Sequence, residues 1–288
     1  MGRDGELIPA AHADWFARGF GVYNRRLIGK SFHALRVDPA LPGLFARLDA
    51  EPRPVIIAMN HASWWDPLVM LALAGKLLQS RRGIAPIDAE QLRRFAFFRK
   101  LGLFGIDPDD PASLGAMLEY AASWFAANAR PTLVLTTQGR FTDVREPIVN
   151  RPGAAAVASR LGAGNVVVAC VLIEYAFWQD QRPEVFVRGA LVPDPPAATH
   201  STASWHRSIQ ATMRATAEAL ASGVISRDPA AFVPLIGAGA ARINPVYDLW
   251  LRLRGRSGQI EARRKDPGSG GVRAMGGPTP QTSAGGEP

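Results

Sequence analysis

Val55-Ile56-Ile57-Ala58-Met59-Asn60-His61-Ala62-Ser63-Trp64-Trp65-Asp66-Pro67-Leu68-Val69-Met70-Leu71-Ala72-Leu73 is the stretch from which the fold of this chain is read. Five apolar residues give way to polar ones, and a second apolar run opens on proline. That order marks a strand turning through a corner into a helix. Asp66 is placed to cap the helix and Pro67 to occupy its first position, where no N–H partner is needed. On one continuous helix His61 and Asp66, five residues apart, would be rotated by roughly 140° from each other. Their side chains meet only if His61 lies in the corner and folds back. A carboxylate held there fixes the imidazole tautomer and steadies the imidazolium that forms on proton uptake. His61 is therefore a candidate general base with Asp66 as its partner; the alternative is a surface histidine beside a capping aspartate.

Working outward, Leu114, Met117, Leu118, Ala121 and Phe125 recur at helical spacing, and Thr132-Leu133-Val134-Leu135-Thr136 follows as a strand running into Gln138-Gly139-Arg140-Phe141. Residues 153–161 read as a helix, 166–173 as a buried strand, 184–188 as a further strand and 204–221 as a helix. Strands alternating with helices predict an α/β fold, a mixed, partly parallel sheet flanked by helices. Ligands of such sheets gather beyond the carboxyl ends of the strands, so His61 and Gln138-Gly139-Arg140 are expected to line one pocket. Residues 38–54, with Pro39, Pro42, Pro52 and Pro54, read as a loop-rich connection. Residues 80–110 are mixed and hold a basic, aromatic patch from Arg93 to Lys100, suited either to phosphates and head groups or to a packed helix with a charged face.

Hydrophobic residues make up 47% and charged residues 20%, proportions of an ordinary folded enzyme. One cysteine, Cys170, excludes an intrachain disulfide framework and a cysteine zinc site, and its apolar neighbours predict a buried, inert thiol. No apolar run approaches the roughly 20 residues that cross a bilayer, and the N-terminus lacks a signal-peptide pattern. The net charge of +8 sits on the flanks: five Arg or Lys against Asp14 within residues 11–36, and seven against Asp248 and Glu261 within 242–265. Such flanks suit an anionic surface. Phe16, Phe20, Tyr23 and Leu27 form one helical stripe, with Arg18, Arg25 and Arg36 opposite, so residues 1–37 read as an amphipathic helical segment for a membrane surface or for core packing. That stripe argues against nucleic acid as partner. Residues 38–254 read as the α/β domain, closing with a helix over 243–254, and 255–288 as a disordered Gly/Pro/Ser-rich tail.

Asn60-His61-x-Ser63-x-x-Asp66 resembles the first motif, NHxxxxD, of the glycerolipid acyltransferase family, which includes the lysophosphatidate (1-acylglycerol-3-phosphate) acyltransferases. The resemblance covers roughly residues 50–190. In that family the histidine deprotonates an acceptor hydroxyl that attacks an acyl thioester, and the aspartate supports it. Gly102-Leu103-Phe104-Gly105-Ile106-Asp107-Pro108 is similar to the second motif, with Pro108 where the family places a phosphate-gripping arginine; Arg99 and Lys100 are the nearest basic replacements. Thr136-Thr137-Gln138-Gly139-Arg140-Phe141 resembles the third, with glutamine for its acid and the arginine one residue early. Arg151-Pro152-Gly153-Ala154 resembles the family's Lys/Arg-x-Gly-Ala, and Cys170-Val171-Leu172-Ile173-Glu174-Tyr175 its Pro-Val-x-Ile-x-Tyr.

The resemblance implies transfer of a fatty acyl group from acyl-CoA or acyl carrier protein to a lipid hydroxyl, with no cofactor beyond that co-substrate. His61 and Asp66 are the expected catalytic pair, and Asn60, Ser63, Gln138, Gly139 and Arg140 the expected substrate contacts. Ser63 is expected to be structural rather than nucleophilic, and Trp64 and Trp65 to line an acyl channel, touch the interface or pack in the core. A lysophosphatidate-like acceptor is the family default. Pro108 admits a non-phosphorylated lipid alcohol, such as a glycosylated isoprenoid, and together with Gln138 it admits a non-catalytic lipid-binding module. No metal is expected, since His61 and Asp66 lack a further ligand, and His12, His33, His200 and His206 read as surface or packing residues. The expected location is cytoplasmic, peripheral on the inner face of a membrane.

Overall fold

The strand Val55–Met59 (β2) is buried at all five positions because it is flanked by strands and covered on both faces. Its neighbours are Pro131–Thr136 (β5) and Val167–Ala176 (β6), both parallel to it. A strand enclosed in this way needs apolar residues on both faces, so its sequence is continuous rather than alternating. In the computed structural model, which describes residues 7–178, 180–237 and 254, six other elements complete the first half of the chain. They are the helix Asp14–Ser31 (α1), strand Ala34–Val37 (β1), helices Leu41–Ala50 (α2) and Asp66–Leu77 (α3), and strands Arg82–Asp88 (β3) and Leu103–Ile106 (β4). Between β3 and β4 lie a short helix, Ala89–Arg94 (α4), and a 3-10 turn, Ala96–Leu101. Pro111–Ala127 (α5), Gly153–Leu161 (α6), Glu184–Leu191 (β7), Thr202–Ser226 (α7) and Val233–Gly237 (β8) follow.

Among the described residues the eight strands form one sheet in the order β4-β3-β5-β2-β6-β7-β1-β8. It is parallel except for the β6–β7 and β1–β8 pairs. The expected mixed, partly parallel α/β sheet is therefore observed. Side chains of one strand alternate between its two faces, and the core divides accordingly. Ile56, Ala58, Val168, Cys170 and Leu172 face α5, α6 and α7 with Phe125, Trp205 and Met213. Val55, Ile57, Met59, Ala169 and Val171 face the other side with Ile28, Phe45, Val69 and Leu73. Cys170 is enclosed against Thr216, and burial raises its thiol pKa, as expected of an inert thiol.

Three expectations need correction. Residues 38–54 are not a loop: α2 occupies 41–50, with Pro42 in the first turn, where a missing N–H costs nothing. The N-terminal helix ends at Ser31, so Arg36 lies on β1 instead, paired with Glu184. Asp66 is not the cap but the first residue of α3, because its carboxylate is drawn away from the helix. His33, read as a surface or packing residue, is buried, with its Nδ1 3.1 Å from Asp180. The expected helix over 243–254 and the tail from 255 lie outside the described residues, apart from Arg254.

α1 lies against α3, where buried Asn24 donates to the Leu68 carbonyl at 2.8 Å. Phe16 and Phe20 pack on Phe97 of the 3-10 turn, and the Lys100 ammonium sits over Trp15 and Phe16. The basic, aromatic patch is thus a partner of α1. Trp15 and Tyr23 remain exposed. No helix among the described residues is long and apolar enough to cross a membrane.

Candidate active site

In the ladder Met59 stands opposite Thr136 of β5 and Val171 of β6, so β2 and β5 end level while β6 runs on to Ala176. Asn60 fills the step. Its Nδ2 donates to the Ile173 carbonyl and its Oδ1 accepts the Ile173 N–H, both at 2.8 Å. The side-chain amide stands in for one more residue of strand, which frees the main chain to turn. On the β5 side the Thr137 N–H donates to the Met59 carbonyl at 2.9 Å. The corner is thereby tied to both neighbouring strands.

His61 folds back from this corner, as the spacing required, and its Nδ1 lies 2.9 Å from Asp66 Oδ2. The same oxygen accepts the Ser63 N–H at 2.8 Å, and Oδ1 accepts the Tyr175 hydroxyl at 2.6 Å. Asp66 is fully buried. Three donors satisfy its carboxylate, which is what keeps an enclosed charge from being prohibitive. Burial, and then the adjacent carboxylate, push the Tyr175 phenol far above its ordinary pKa, so it serves only as a donor. Ser63 also accepts the Trp65 N–H on its Oγ at 3.2 Å, so it shapes the turn. With Nδ1–H held by the carboxylate, Nε2 carries the lone pair. The His61 side chain is 18% exposed, so the ring is not sealed in the core.

The opposite rim comes from the loop after β5. Gln138 Oε1 accepts the His61 N–H at 2.9 Å, and the His61 carbonyl accepts the Thr142 N–H at 2.8 Å. Phe141 lies 4.2 Å from the imidazole, centroid to centroid, and 5.5 Å from Trp64. Both Phe141 and Trp64 are exposed, so they form an apolar lip beside the imidazole. Trp65 instead packs edge-on against Phe32 in the core.

Gly139 has φ +67°, and a Cβ there would fall 2.7 Å from Arg151 Cδ and Nε. The absent side chain gives the Arg151 guanidinium room to cross the loop and donate to the Pro108 carbonyl at 2.6 Å. Arg140 is exposed and makes no side-chain hydrogen bond or ion pair among the described residues. Arg99 and Lys100 are engaged elsewhere, Arg99 with the Pro9 carbonyl and Lys100 over the rings of α1. Arg151, not either of these, brings a cation to Pro108.

The site thus gathers His61, Asp66, Ser63, Asn60 and Gln138 directly, with Gly139 and Arg140 on the rim. Two of its features were not assigned from the sequence: the Tyr175 hydrogen bond to Asp66 and the bridge from Arg151 to Pro108. The signal for each was present as a motif resemblance, without the contact it makes. Among the described residues, no three His, Cys, Asp or Glu side chains converge as metal ligands.

A buried carboxylate holding an imidazole at the carboxyl end of a central parallel strand is the geometry that a general base would need in an α/β protein. Residues 46–174, which contain the whole of this arrangement except Tyr175, match the family model described as Acyltransferase. This stretch of the chain is an acyltransferase domain, consistent with the glycerolipid acyltransferases. The curated proteins contain no match to the chain.

Proposed function

We propose that the protein transfers a fatty acyl group from an acyl thioester, acyl-CoA or acyl carrier protein, to the hydroxyl of a lipid at a membrane surface. His61 Nε2 takes the hydroxyl proton as the oxygen attacks the thioester carbonyl. Asp66 holds Nδ1–H and stabilises the imidazolium. Collapse of the tetrahedral intermediate expels the thiolate, which leaves with the proton from His61. Neither a covalent acyl-enzyme nor a cofactor is required, and Ser63 has no nucleophilic part. The observation that carries this reading is the 2.9 Å contact between His61 Nδ1 and a buried Asp66 carboxylate that has two further donors.

The exposed aromatic side chains of Trp15, Tyr23, Trp64 and Phe141, with basic residues around α1, support work at the surface of an anionic bilayer from the cytoplasmic side. Purified protein given an acyl-CoA, lipid vesicles and a panel of lipid alcohols should release free thiol. His61→Ala should lower that rate by about 10²–10⁴-fold, the usual worth of a positioned base, while the variant still unfolds cooperatively with a stability loss of about 1–3 kcal/mol from the donor that buried Asp66 loses. Undiminished thiol release in the variant would overturn the mechanism. Vesicle binding without thiol release by the unmodified protein would make it a lipid-binding module instead.

A further inference from the structure

The loop from Gln138 to Asn150, one rim of the site, contains no helix or strand, and its tip, residues 143–147, is exposed. Gln138, Thr142, Ile148 and Asn150 are its buried members. The outgoing limb is bonded to the His61 main chain through Gln138 and Thr142. The limbs meet where the Arg151 N–H donates to the Thr137 carbonyl at 2.7 Å and Thr137 Oγ1 donates to Asn150 Oδ1 at 2.8 Å. The returning limb is held from α7. Gln210 Nε2 donates to the Ile148 carbonyl at 2.6 Å, and Gln210 Oε1 accepts the Asn150 N–H at 3.0 Å. Those are the two main-chain groups that one residue of a parallel strand would bond. A side-chain amide on a helix thus stands in for a strand, as Asn60 does at the end of β2. Arg214, one turn further along α7, reaches the same Ile148 carbonyl at 3.3 Å, whereas the Asn150 N–H has Gln210 alone among the described residues.

We infer that Gln210 is a positioning residue for acyl transfer: by clamping the returning limb it holds the Gln138–Phe141 wall in place beside the imidazole. The inference rests on the acyl-transfer reading above. A small cleft separates the loop from Leu172, Ala217 and Leu220, so the loop is held at its limbs rather than by packing along its length. Loss of Gln210 leaves a buried Asn150 N–H unmet, a cost that the limb relieves by moving out to water. Asn150 is tied through Thr137 to the start of the outgoing limb, so the wall shifts with it. The His61–Asp66 bond lies across the corner, which Asn60 fastens to β6, and it stays in place. The effect therefore falls on how a substrate is seated and not on how its proton is removed.

Gln210→Leu keeps the size and helix preference of the side chain and removes both bonds. Hydrogen exchange of the full chain, followed by mass spectrometry, should show the amides of residues 138–150 exchanging about tenfold faster, with those of α3 and α7 unmoved. Gln210→Glu keeps an acceptor for the Asn150 N–H and has Arg214 beside it, so it should restore most of that protection. Initial rates with acyl-CoA and a lipid alcohol in vesicles should give Gln210→Leu an acceptor KM about three- to tenfold higher, with kcat within about threefold. Gln210→Glu should stay within about twofold of the parent in both. Loop exchange that does not change, faster exchange in α7 alone, or a Gln210→Glu variant as impaired as Gln210→Leu would overturn the inference. The two readings fail separately. A loop freed in Gln210→Leu, with no thiol release by any form of the protein, refutes acyl transfer and leaves the clamp. An active parent whose freed loop leaves KM unmoved refutes the positioning role and leaves acyl transfer.

Discussion

The two rims of the site are held to different degrees. On the α3 side, Asp66 is fully buried and receives His61, Ser63 and Tyr175, while Asn60 locks the corner to β6 through two hydrogen bonds. On the β5-loop side, Arg140 has no side-chain partner among the described residues, Arg151 reaches a main-chain carbonyl across a glycine, and Gln138 is held through its Oε1 alone. A satisfied network rigidifies what it contains. The His61–Asp66 pair is therefore held to one geometry, and the side chains of the β5-loop rim are held by fewer bonds.

The contrast breaks first if the rigid side is altered. Asp66→Asn removes the charge that stabilises the imidazolium and turns an amide N–H toward groups that are themselves donors. The single-turnover rate of acyl transfer should fall by at least about 10²-fold, toward the roughly 10⁴-fold known for such a change in a carboxylate–histidine pair. Thermal unfolding should show a loss of about 1–3 kcal/mol, as donors lose a charged acceptor. A rate within threefold of the parent would mean that the pair is only structural. A smaller effect is expected on the other rim. Gly139→Ala places a Cβ at φ +67° and displaces Arg151. A left-handed non-glycine residue costs about 1–2 kcal/mol. Melting should report that loss, and initial rates should show a raised acceptor KM with kcat within about threefold. A collapse of kcat would show that this loop positions the base as well.

The α/β class and the His61 corner were legible in the sequence because burial on both faces leaves a continuous apolar strand, and because proline opens the following helix. Other elements were not, and β3, α4 and β4 fall within residues 80–110, which read only as mixed. α2 was hidden by prolines that stand in its first turn or outside it, where they do not break a helix. β1 has four residues and β8 is a half-exposed edge, so neither carries a periodicity that separates it from a loop. Within the site, the His61–Asp66 contact follows from local spacing. The bond from Tyr175 to Asp66 joins residues 109 positions apart, and the path of Arg151 over Gly139 joins two loops. Such contacts arise only once the sheet has set its strand order, β5-β2-β6, and no sequence pattern records them.

The finest test of the contrast concerns Glu174. Burial raises its carboxyl pKa above the ordinary 4.5, so the folded chain binds its proton at a pH where the unfolded chain has released it. Below about 4.5 both states are protonated and Glu174 adds no pH-dependent cost. As pH rises through the folded value, the folded chain must hold a half-buried, unpaired carboxylate that the unfolded chain hydrates freely, and stability declines. Glu174→Gln removes that cost. The variant should melt slightly higher than the parent at pH 7, by under about 2 °C because the group is half open to solvent, and the gap should close as pH falls toward 4.5. A lower melting temperature at pH 7 would mean that the carboxylate is held by a partner and belongs to the rigid side after all.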